Sequence, residues 1–493
     1  MYGMKTFVLI SLAWVLVAAE PSKERVAQIV EEARKAFAVP GTAVAVVRDG
    51  QIVYQAGHGV REAGKPEALT IHSTFQIAST TKAFTTAAMA MLVDEGKMQW
   101  DDPVRKHVDY FRLKDAQADA LVTLRDIVSH RTGLPRHDVL WVRTGFDREN
   151  LIRRMAYAKP TEPIRTKYQY QNIMFTTAGE AVGKASGLGW DRFIQQRIFE
   201  PLGMKDSSTV YAEMIGKVDR AMPHLKRDGK ALPSQWGNYD NIGGAGCIAS
   251  SVADMTEWLR LQMALGEYNG KRLVSAKNLQ ETHLPNMFNR LTEAQRELQP
   301  EFTQTTYGMG WSINHYRGEM LVMHAGVLSG FRALVTMAPG RKLGFVVLAN
   351  LNSTQMPEAL TNALLDEYLD LTKTRDWNAH MLAAVKKSEE KEALEKREKI
   401  AARKKDTRPS LDLASYVGTY EEPAYGEVRV SLKEGKLHIE WARFSGAMEH
   451  WHYDTFQAKG QSALSDAMVT FSLNAQGKVE RLQLLDQDFV KKP

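Results

Sequence analysis

The sequence predicts an α+β chain in which an antiparallel sheet is split around a helical block and followed by a small all-β domain. Three observations predict this. Strand-like runs occur near the start of the chain, in TAVAVVRD and QIVYQAGHG, and return after residue 300 in TYGMGWSI, EMLVMH, FRALVTMA and KLGFVVLAN. Helix-like stretches punctuated by Gly and Pro fill the span between them. Beyond a Lys- and Glu-rich stretch, residues 411 to 485 carry short β-patterned runs such as EVRVSL, KLHIEW and MVTFSL, separated by Gly- or Asn-containing turns.

Taken in order, the chain opens with MYGMKTFVLISLAWVLVAAEPS, where Lys5 precedes an apolar stretch from Phe7 to Ala19 that ends in Val17-Ala18-Ala19. That pattern predicts a signal peptide over residues 1–19, cleaved after Ala19, and therefore a secreted or periplasmic protein. Met4 offers a second start, MKTF. The stretch is shorter than the roughly 20 residues a membrane helix needs, so no stable span is expected after cleavage. Residues 22 to 38 have helical apolar spacing, stopped by Pro40-Gly41. Asp49-Gly50, between two β-rich runs, predicts a hairpin beginning the sheet near Thr42.

The run STTKAFTTAAMAMLVDEGK is apolar around most of its circumference, which predicts a buried helix opened by Ser79 and capped near Gly96. Pro339-Gly340 predicts a turn before the last strand, and MPEALTNALLDEYLDL a closing helix. A sheet supplied from both ends of the segment, with helices inserted, implies a mixed layer beside an all-helical region and a cleft between them. The organisation read from this is a mixed α+β domain over 20–372, a charged helical linker over 373–408 and a β-barrel or sandwich over 409–493.

Composition narrows the function classes. The 493 residues are 44% hydrophobic and 25% charged, ordinary values for a folded chain and against both disorder and a polytopic membrane protein. The net charge of +6 draws much of its excess from Lys386 to Lys405, where Glu and Lys interleave about one turn apart. Such a run forms a solvated helix held by its own ion pairs, so nucleic acid is not an expected partner. Cys247 is the only cysteine, which excludes an intramolecular disulfide; it sits in GGAGCIAS with no adjacent histidine and reads as a small packed residue.

The chemistry begins with Ser79-Thr80-Thr81-Lys82. A serine hydroxyl is a weak nucleophile until a base removes its proton, and a lysine three residues later shares its helix face. A lysine in a dry cleft has its charged form disfavoured, as a general base requires. The spacing alone is unspecific, since about two such matches arise by chance in a chain this long. Ser388-Glu389-Glu390-Lys391 is one, but it lies in the charged stretch with nothing apolar to bury it. A second proton-handling element is Tyr170-Gln171-Asn172, in which the phenol can relay a proton and the amide can hold a carbonyl; Tyr239-Asp240-Asn241 has the same spacing. The third is His324-Ala325-Gly326, at the expected end of the strand EMLVMH, where Gly permits close approach of a backbone. His450 and His452 would share a strand face, but no third and fourth metal ligand accompanies them. The sequence has no H-E-x-x-H, nucleophile elbow or P-loop.

Together the three elements resemble the serine β-lactamase and penicillin-binding-protein superfamily, in its class C and D-aminopeptidase branch. FQIASTTKAFTTAAMAMLVDEGK, TLRDIVSHRTGLP, YQYQNIMFTTAGEAVGKASG, RIFEPLGM, GGAGCIASSVADMTEWL, YGMGW and HAGVLSGF are similar to that family's motifs, in its order, over residues 25 to 372. The resemblance implies a β-lactamase-like fold with terminal helices on the sheet, and it selects Tyr170 over Tyr239. It implies acylation of Ser79, acid and base roles shared by Lys82 and Tyr170, and substrate contacts from Asn172, His324 and Gly326. The amides of Ser79 and Val327 would form the oxyanion hole, and no metal or organic cofactor is implied. The C-terminal stretch YVGTYEEPAYGEVRVSLKEGKLHI resembles a lipocalin-like β-domain appended to some of these hydrolases.

The third motif departs from the Lys-Thr-Gly usual in class C β-lactamases. Histidine, with an ordinary pKa near 6.5, supplies no fixed cation at neutral pH. The expectation is therefore a serine peptidase or esterase acting on small D-residue-containing peptides or short esters. A class C-like β-lactamase and a non-turnover penicillin-binding receptor are the alternatives. The oligomeric state is open.

Overall fold

A computed structural model of the chain describes residues 20–142, 144–460 and 464–493. The expected signal peptide lies outside the described residues. Helix α1, Lys23–Ala36, starts where the Ser22 side chain accepts a hydrogen bond from the Arg25 N–H at 3.2 Å. Strands β1, Gly41–Arg48, and β2, Gln51–Gly59, follow as a hairpin. The predicted Asp49-Gly50 turn joins them, with φ of +50° and +77°, the left-handed pair that matches strand twist.

The sheet is completed from the far end of the segment. Strands β3, Met287–Phe288, β4, Phe302–Tyr307, β5, Ser312–Tyr316, β6, Glu319–Leu328, β7, Phe331–Ala338, and β8, Leu343–Ala349, give eight strands in the order β2-β1-β8-β7-β6-β5-β4-β3. Every pairing is antiparallel, and β1 meets β8 with Thr42 opposite Ala349. The two-residue period sends Val44, Val46, Phe345 and Val347 to one face, where they pack on α1 and on α5, Met356–Tyr368. Ala43, Ala45, Val346 and Leu348 face the helical block instead. The small residues there let α4, Val252–Met263, come close: a Cβ on Gly344 would lie 3.0 Å from the Leu259 methyls. Both faces are thus covered, which is why β1 reads as an almost unbroken apolar run.

Within the helical block, α2, Thr81–Asp94, has 12 of its 14 residues buried, and α3, Asn172–Ser186, packs beside it. An all-round apolar helix can only be central. Short strand pairs also occur in this block, His224–Arg227 with Lys230–Pro233 and Glu267–Tyr268 with Lys271–Arg272, too brief for alternation to register in the sequence.

Helix α6, Trp377–Ala401, carries the charged stretch. Its start is anchored rather than solvated: Trp377 and Met381 are buried, and the Trp377 indole donates to Asp366 Oδ2 at 2.8 Å. Asp366 also accepts from the Tyr316 hydroxyl at 2.6 Å, tying β5, α5 and α6 through one buried carboxylate. Beyond residue 390 the helix is exposed, as its charge predicts.

The C-terminal strands, β9, Gly418–Glu422, β10, Gly426–Lys433, β11, Lys436–Trp441, β12, Phe444–His452, β13, Thr455–Gly460, β14, Ser465–Leu473, β15, Val479–Leu484, and β16, Gln487–Lys491, close into a barrel. Of the two all-β shapes open from the sequence it is the barrel, sealed by β9 on β16 with Tyr420 opposite Lys491. Its interior is filled by Tyr416, Tyr420, Trp441, Phe456, Phe471 and Phe489. A small eight-stranded barrel is just wide enough to be packed in this way. No helix among the described residues is long and apolar enough to cross a membrane.

Candidate active site

The chain enters α2 through a strained residue. Ala78 has φ of +51°, in the left-handed region that a Cβ disfavours, and Ser79 follows it inside a 3-10 turn, Ala78–Thr80. Lys82 stands in the first turn of α2 and reaches back so that Nζ lies 3.1 Å from Ser79 Oγ. Its other neighbours are Asn172 Oδ1 at 2.7 Å and the Ala245 carbonyl at 2.9 Å. Lys82 has no solvent exposure. Burial first, and the Arg136 charge second, push its ammonium well below the lysine range, against an opposing pull from Asp138.

The partner set serves either protonation state: an ammonium donates to all three neighbours, and a neutral amine donates to two and accepts from the third. Such an amine offers two N–H donors and one lone pair. The Ala245 carbonyl only accepts, and so does Asn172 Oδ1, whose orientation is fixed because the Asn172 amide nitrogen donates to Asp138 Oδ1 at 3.0 Å. A charged Nζ donates to Ser79 Oγ, whereas a neutral one turns its lone pair to the Ser79 hydroxyl, the only one of the three neighbours with a proton to give.

Tyr170 joins the same cluster. Burial drives its phenol upward, and the nearby Ser79 side chain opposes that push. The Tyr170 ring lies 4.7 Å from Lys82 Nζ and 4.7 Å from the Arg136 guanidinium carbon. The next two residues are shaped by α3: Gln171 caps it, accepting from the Ile173 N–H at 2.8 Å, and Asn172 is its first residue. His130 clasps this segment from both sides of Tyr170. Its carbonyl accepts from the Gln169 N–H at 2.8 Å and its Nδ1 from the Gln171 N–H at 3.0 Å. The proton therefore sits on Nε2, and burial holds the imidazole neutral, well below its ordinary pKa.

The third motif behaves differently from its sequence expectation. β6 does not end at His324 but runs on to Leu328, with His324 opposite Val335 on β7. His324 is buried, its Nδ1 donating to the Ala325 carbonyl at 2.7 Å and its Nε2 accepting from the Tyr307 hydroxyl at 3.0 Å. Burial pushes it down to about 3, so it is a neutral ring with both nitrogens occupied. The space that Gly326 leaves is taken by the chain itself: a Cβ there would lie 2.2 Å from the Ile77 carbonyl. Gly326 thus seats β6 against the Ser79 turn.

β5 stops pairing with β6 at Met323, so the last five residues of β6 have a free edge on that side. The two-residue loop Ser329-Gly330 makes Leu328 and Phe331 a hydrogen-bonded pair, and alternation turns the Val327 N–H to the free edge. Val327, 51% exposed, lines with Ser79, Asn172 and His324 a cavity of about 630 Å³. Trp141, Tyr239 and Tyr307 also line it, so Tyr239 is at the wall while Tyr170 is at the nucleophile.

The remaining candidates separate from this site. Ser388 on α6 has Glu392 as its partner at 3.5 Å, and Lys391 is exposed. Cys247 is buried and its thiol pushed upward by that burial, which fits a packing residue. His450 donates to the Tyr453 carbonyl and His452 accepts from the Lys404 N–H, with a register shift between them. No group of three metal-ligating side chains occurs among the described residues. Sequence reasoning assigned nothing to His130, Arg136, Asp138 or Tyr307. The first three lie in or just after SHRTGLP, where His130 and His137 take left-handed backbone and bend the loop to the pocket.

A family model described as Beta-lactamase matches residues 26–370. The chain belongs to the β-lactamase family. A second family model, a domain of unknown function (DUF3471), matches residues 402–492, the barrel. The chain is 28% identical over 457 residues to Unguisins hydrolase ungD' of Aspergillus campestris, covering 85% of this chain and 79% of the relative. It is 29% identical over 439 residues to Unguisins hydrolase ungD of Aspergillus violaceofuscus, covering 83% and 77%. Among solved structures, the octameric penicillin-binding protein homologue from Pyrococcus abyssi superposes with a TM-score of 0.63 at 22% identity, covering 95% of this chain and 99% of that one. Family and relatives agree on a hydrolase of this superfamily.

Proposed function

We propose that this family member is an exported serine hydrolase of the class C and D-aminopeptidase branch, cleaving amide, peptide or ester bonds through an acyl-enzyme on Ser79. Its substrates are small D-residue-containing peptides or short esters. The observation that carries this reading is the 3.1 Å contact between Ser79 and a Lys82 that is fully buried.

In the scheme, Lys82 Nζ takes the Ser79 proton as Oγ attacks the carbonyl carbon. The N–H groups of Ser79 and Val327 receive the oxyanion. Tyr170 passes a proton to the leaving nitrogen or oxygen as the scissile bond breaks, and Asn172 holds Lys82 through Oδ1, leaving the second hydrogen of its amide nitrogen for the substrate. Water then hydrolyses the ester on Ser79 with the same groups in reverse. The scheme calls for no metal or organic cofactor. The neutral His324 supports a peptidase or esterase over a dedicated β-lactamase, since no fixed cation stands at the third motif. Relatives named as hydrolases support turnover over a receptor that acylates once.

The test is intact mass after exposure to a fluorophosphonate, with peptide mapping of the adduct. Labelling on Ser79, absent in a folded Ser79→Ala variant, is expected. Equal labelling of that variant would overturn the scheme. Rapid turnover of a chromogenic cephalosporin would favour the β-lactamase alternative, and a penicillin adduct that persists would favour the receptor. N-terminal sequencing of the exported protein tests cleavage after Ala19.

A further inference from the structure

The neutral third motif leaves the pocket without the cation that its family position often supplies, yet a different cation faces it. Among the described residues lining the pocket, Arg136 is the sole Lys or Arg. Its Nε donates to Asp138 Oδ2 at 2.6 Å. The other oxygen of Asp138 is taken by the Asn172 amide at 3.0 Å and the Trp141 indole at 2.9 Å, so both carboxylate oxygens are engaged. Arg136 is thus pinned by one edge of its guanidinium while its central carbon lies over the Tyr170 ring, 4.7 Å from the ring centre. No hydrogen bond among the described residues occupies Nη1 or Nη2, and the side chain is 58% exposed.

We propose that Arg136 is an anion-binding residue of the substrate pocket, its Nη1–Nη2 edge receiving a carboxylate carried by the substrate beside the scissile bond. The assignment rests on the Ser79 acyl-transfer reading. A guanidinium suits the task because its charge is fixed and its planar fork matches two carboxylate oxygens. The contact with the Tyr170 ring and the single bond to Asp138 hold that fork in place before a ligand arrives, so little freedom is lost on binding. An exposed Arg–Asp pair contributes little to stability, so the pair is better understood as aiming the free edge. The proximity to Tyr170, the proposed proton donor, puts the anion on the leaving-group side of Ser79.

The experiment compares 3-carboxyphenyl acetate with 3-carbamoylphenyl acetate, two esters of similar shape that differ in charge, on the full chain. Wild type is expected to prefer the anionic ester by roughly tenfold or more, mainly in KM. Arg136→Gln is expected to bring the ratio to about one, and Arg136→Lys to restore part of it, because the charge returns without the fork. Thermal unfolding of both variants verifies that they are folded. Equal kcat/KM for the two esters in wild type, or an unchanged ratio in Arg136→Gln, overturns the assignment alone. Failure of both esters, together with an unlabelled Ser79 after fluorophosphonate, overturns the acyl-transfer reading and this assignment with it.

Discussion

Lys82 Nζ and Asn172 Oδ1 lie 2.7 Å apart, and the amide that holds the lysine is held in turn by Asp138. The amine is therefore oriented by two acceptors, with Ser79 Oγ as its third neighbour. Its depressed pKa sets the expected pH dependence: the neutral base is populated above that pKa, so kcat/KM should fall as pH drops through it, on a limb lying well below the ordinary lysine range. Lys82→Arg keeps a cation that never deprotonates and should lower the fluorophosphonate labelling rate by about 10²-fold or more at every pH. A Lys82→Arg enzyme with the wild-type acid limb would remove Lys82 from the base role.

Gly326→Ala should damage the nucleophile without touching it. The added Cβ would stand 2.2 Å from a backbone atom, the Ile77 carbonyl, so the Ser79 turn has to move. A loss of about 1–3 kcal/mol in stability is expected, with a fall in Ser79 labelling of roughly tenfold or more. Gly340→Ala, which meets nothing within 4 Å, is the matched control for chemical denaturation.

The barrel reaches the pocket loop through one buried pair. The Tyr425 hydroxyl lies 2.7 Å from His137 Nδ1, between Arg136 and Asp138 in sequence. Arg154 reinforces the contact by donating to the Ala424 carbonyl at 2.8 Å. Tyr425→Phe leaves a buried imidazole nitrogen unpaired and should destabilise by about 1–3 kcal/mol. Hydrogen exchange over residues 133–142 should speed up, and KM should rise more than kcat falls. Unchanged exchange would separate the barrel from the pocket.

Acid stability depends on histidines buried in the neutral form. His283, enclosed beside Trp311 and bonded to Gln262 at 3.0 Å, is pushed by burial down to about 4. The unfolded chain takes up a proton near pH 6.5 and the folded chain only near 4, so stability falls as pH drops through that window. The contribution is at most about 3 kcal/mol. Thermal unfolding of His283→Asn should show a shallower pH slope than wild type between pH 6.5 and 4.

What was legible in the sequence was whatever a periodicity or a turn imposes locally. Asp49-Gly50 announced its hairpin, the all-apolar run after Ser79 announced a central helix, and the Ser79 to Lys82 spacing survived as a contact. The end of β6 was not legible, because Ala325, Gly326 and Val327 pair with β7 across a tight loop whose register no local pattern records. Nor were His130 and Arg136, which meet the Tyr170 segment through main-chain bonds and a ring contact spanning 34 to 41 positions. The anchoring of Trp377 was hidden by the charge that follows it, since a single buried carboxylate, Asp366, outweighs the solvated character of the later turns.

The overhang of β6 beyond β5 leaves one strand edge unpaired by the sheet, beside the Ser79 turn. Under the proposed acyl-transfer reading, a substrate strand laid along this edge would meet the Val327 main chain, while the Ala325 carbonyl is already taken by His324, so such pairing would be indifferent to side-chain identity and vulnerable to N-methylation. Discrimination among substrates would then fall to the other residues lining the pocket, Trp141, Val142 and Tyr239 among them. Altering those residues would retune selectivity while leaving the reaction itself in place.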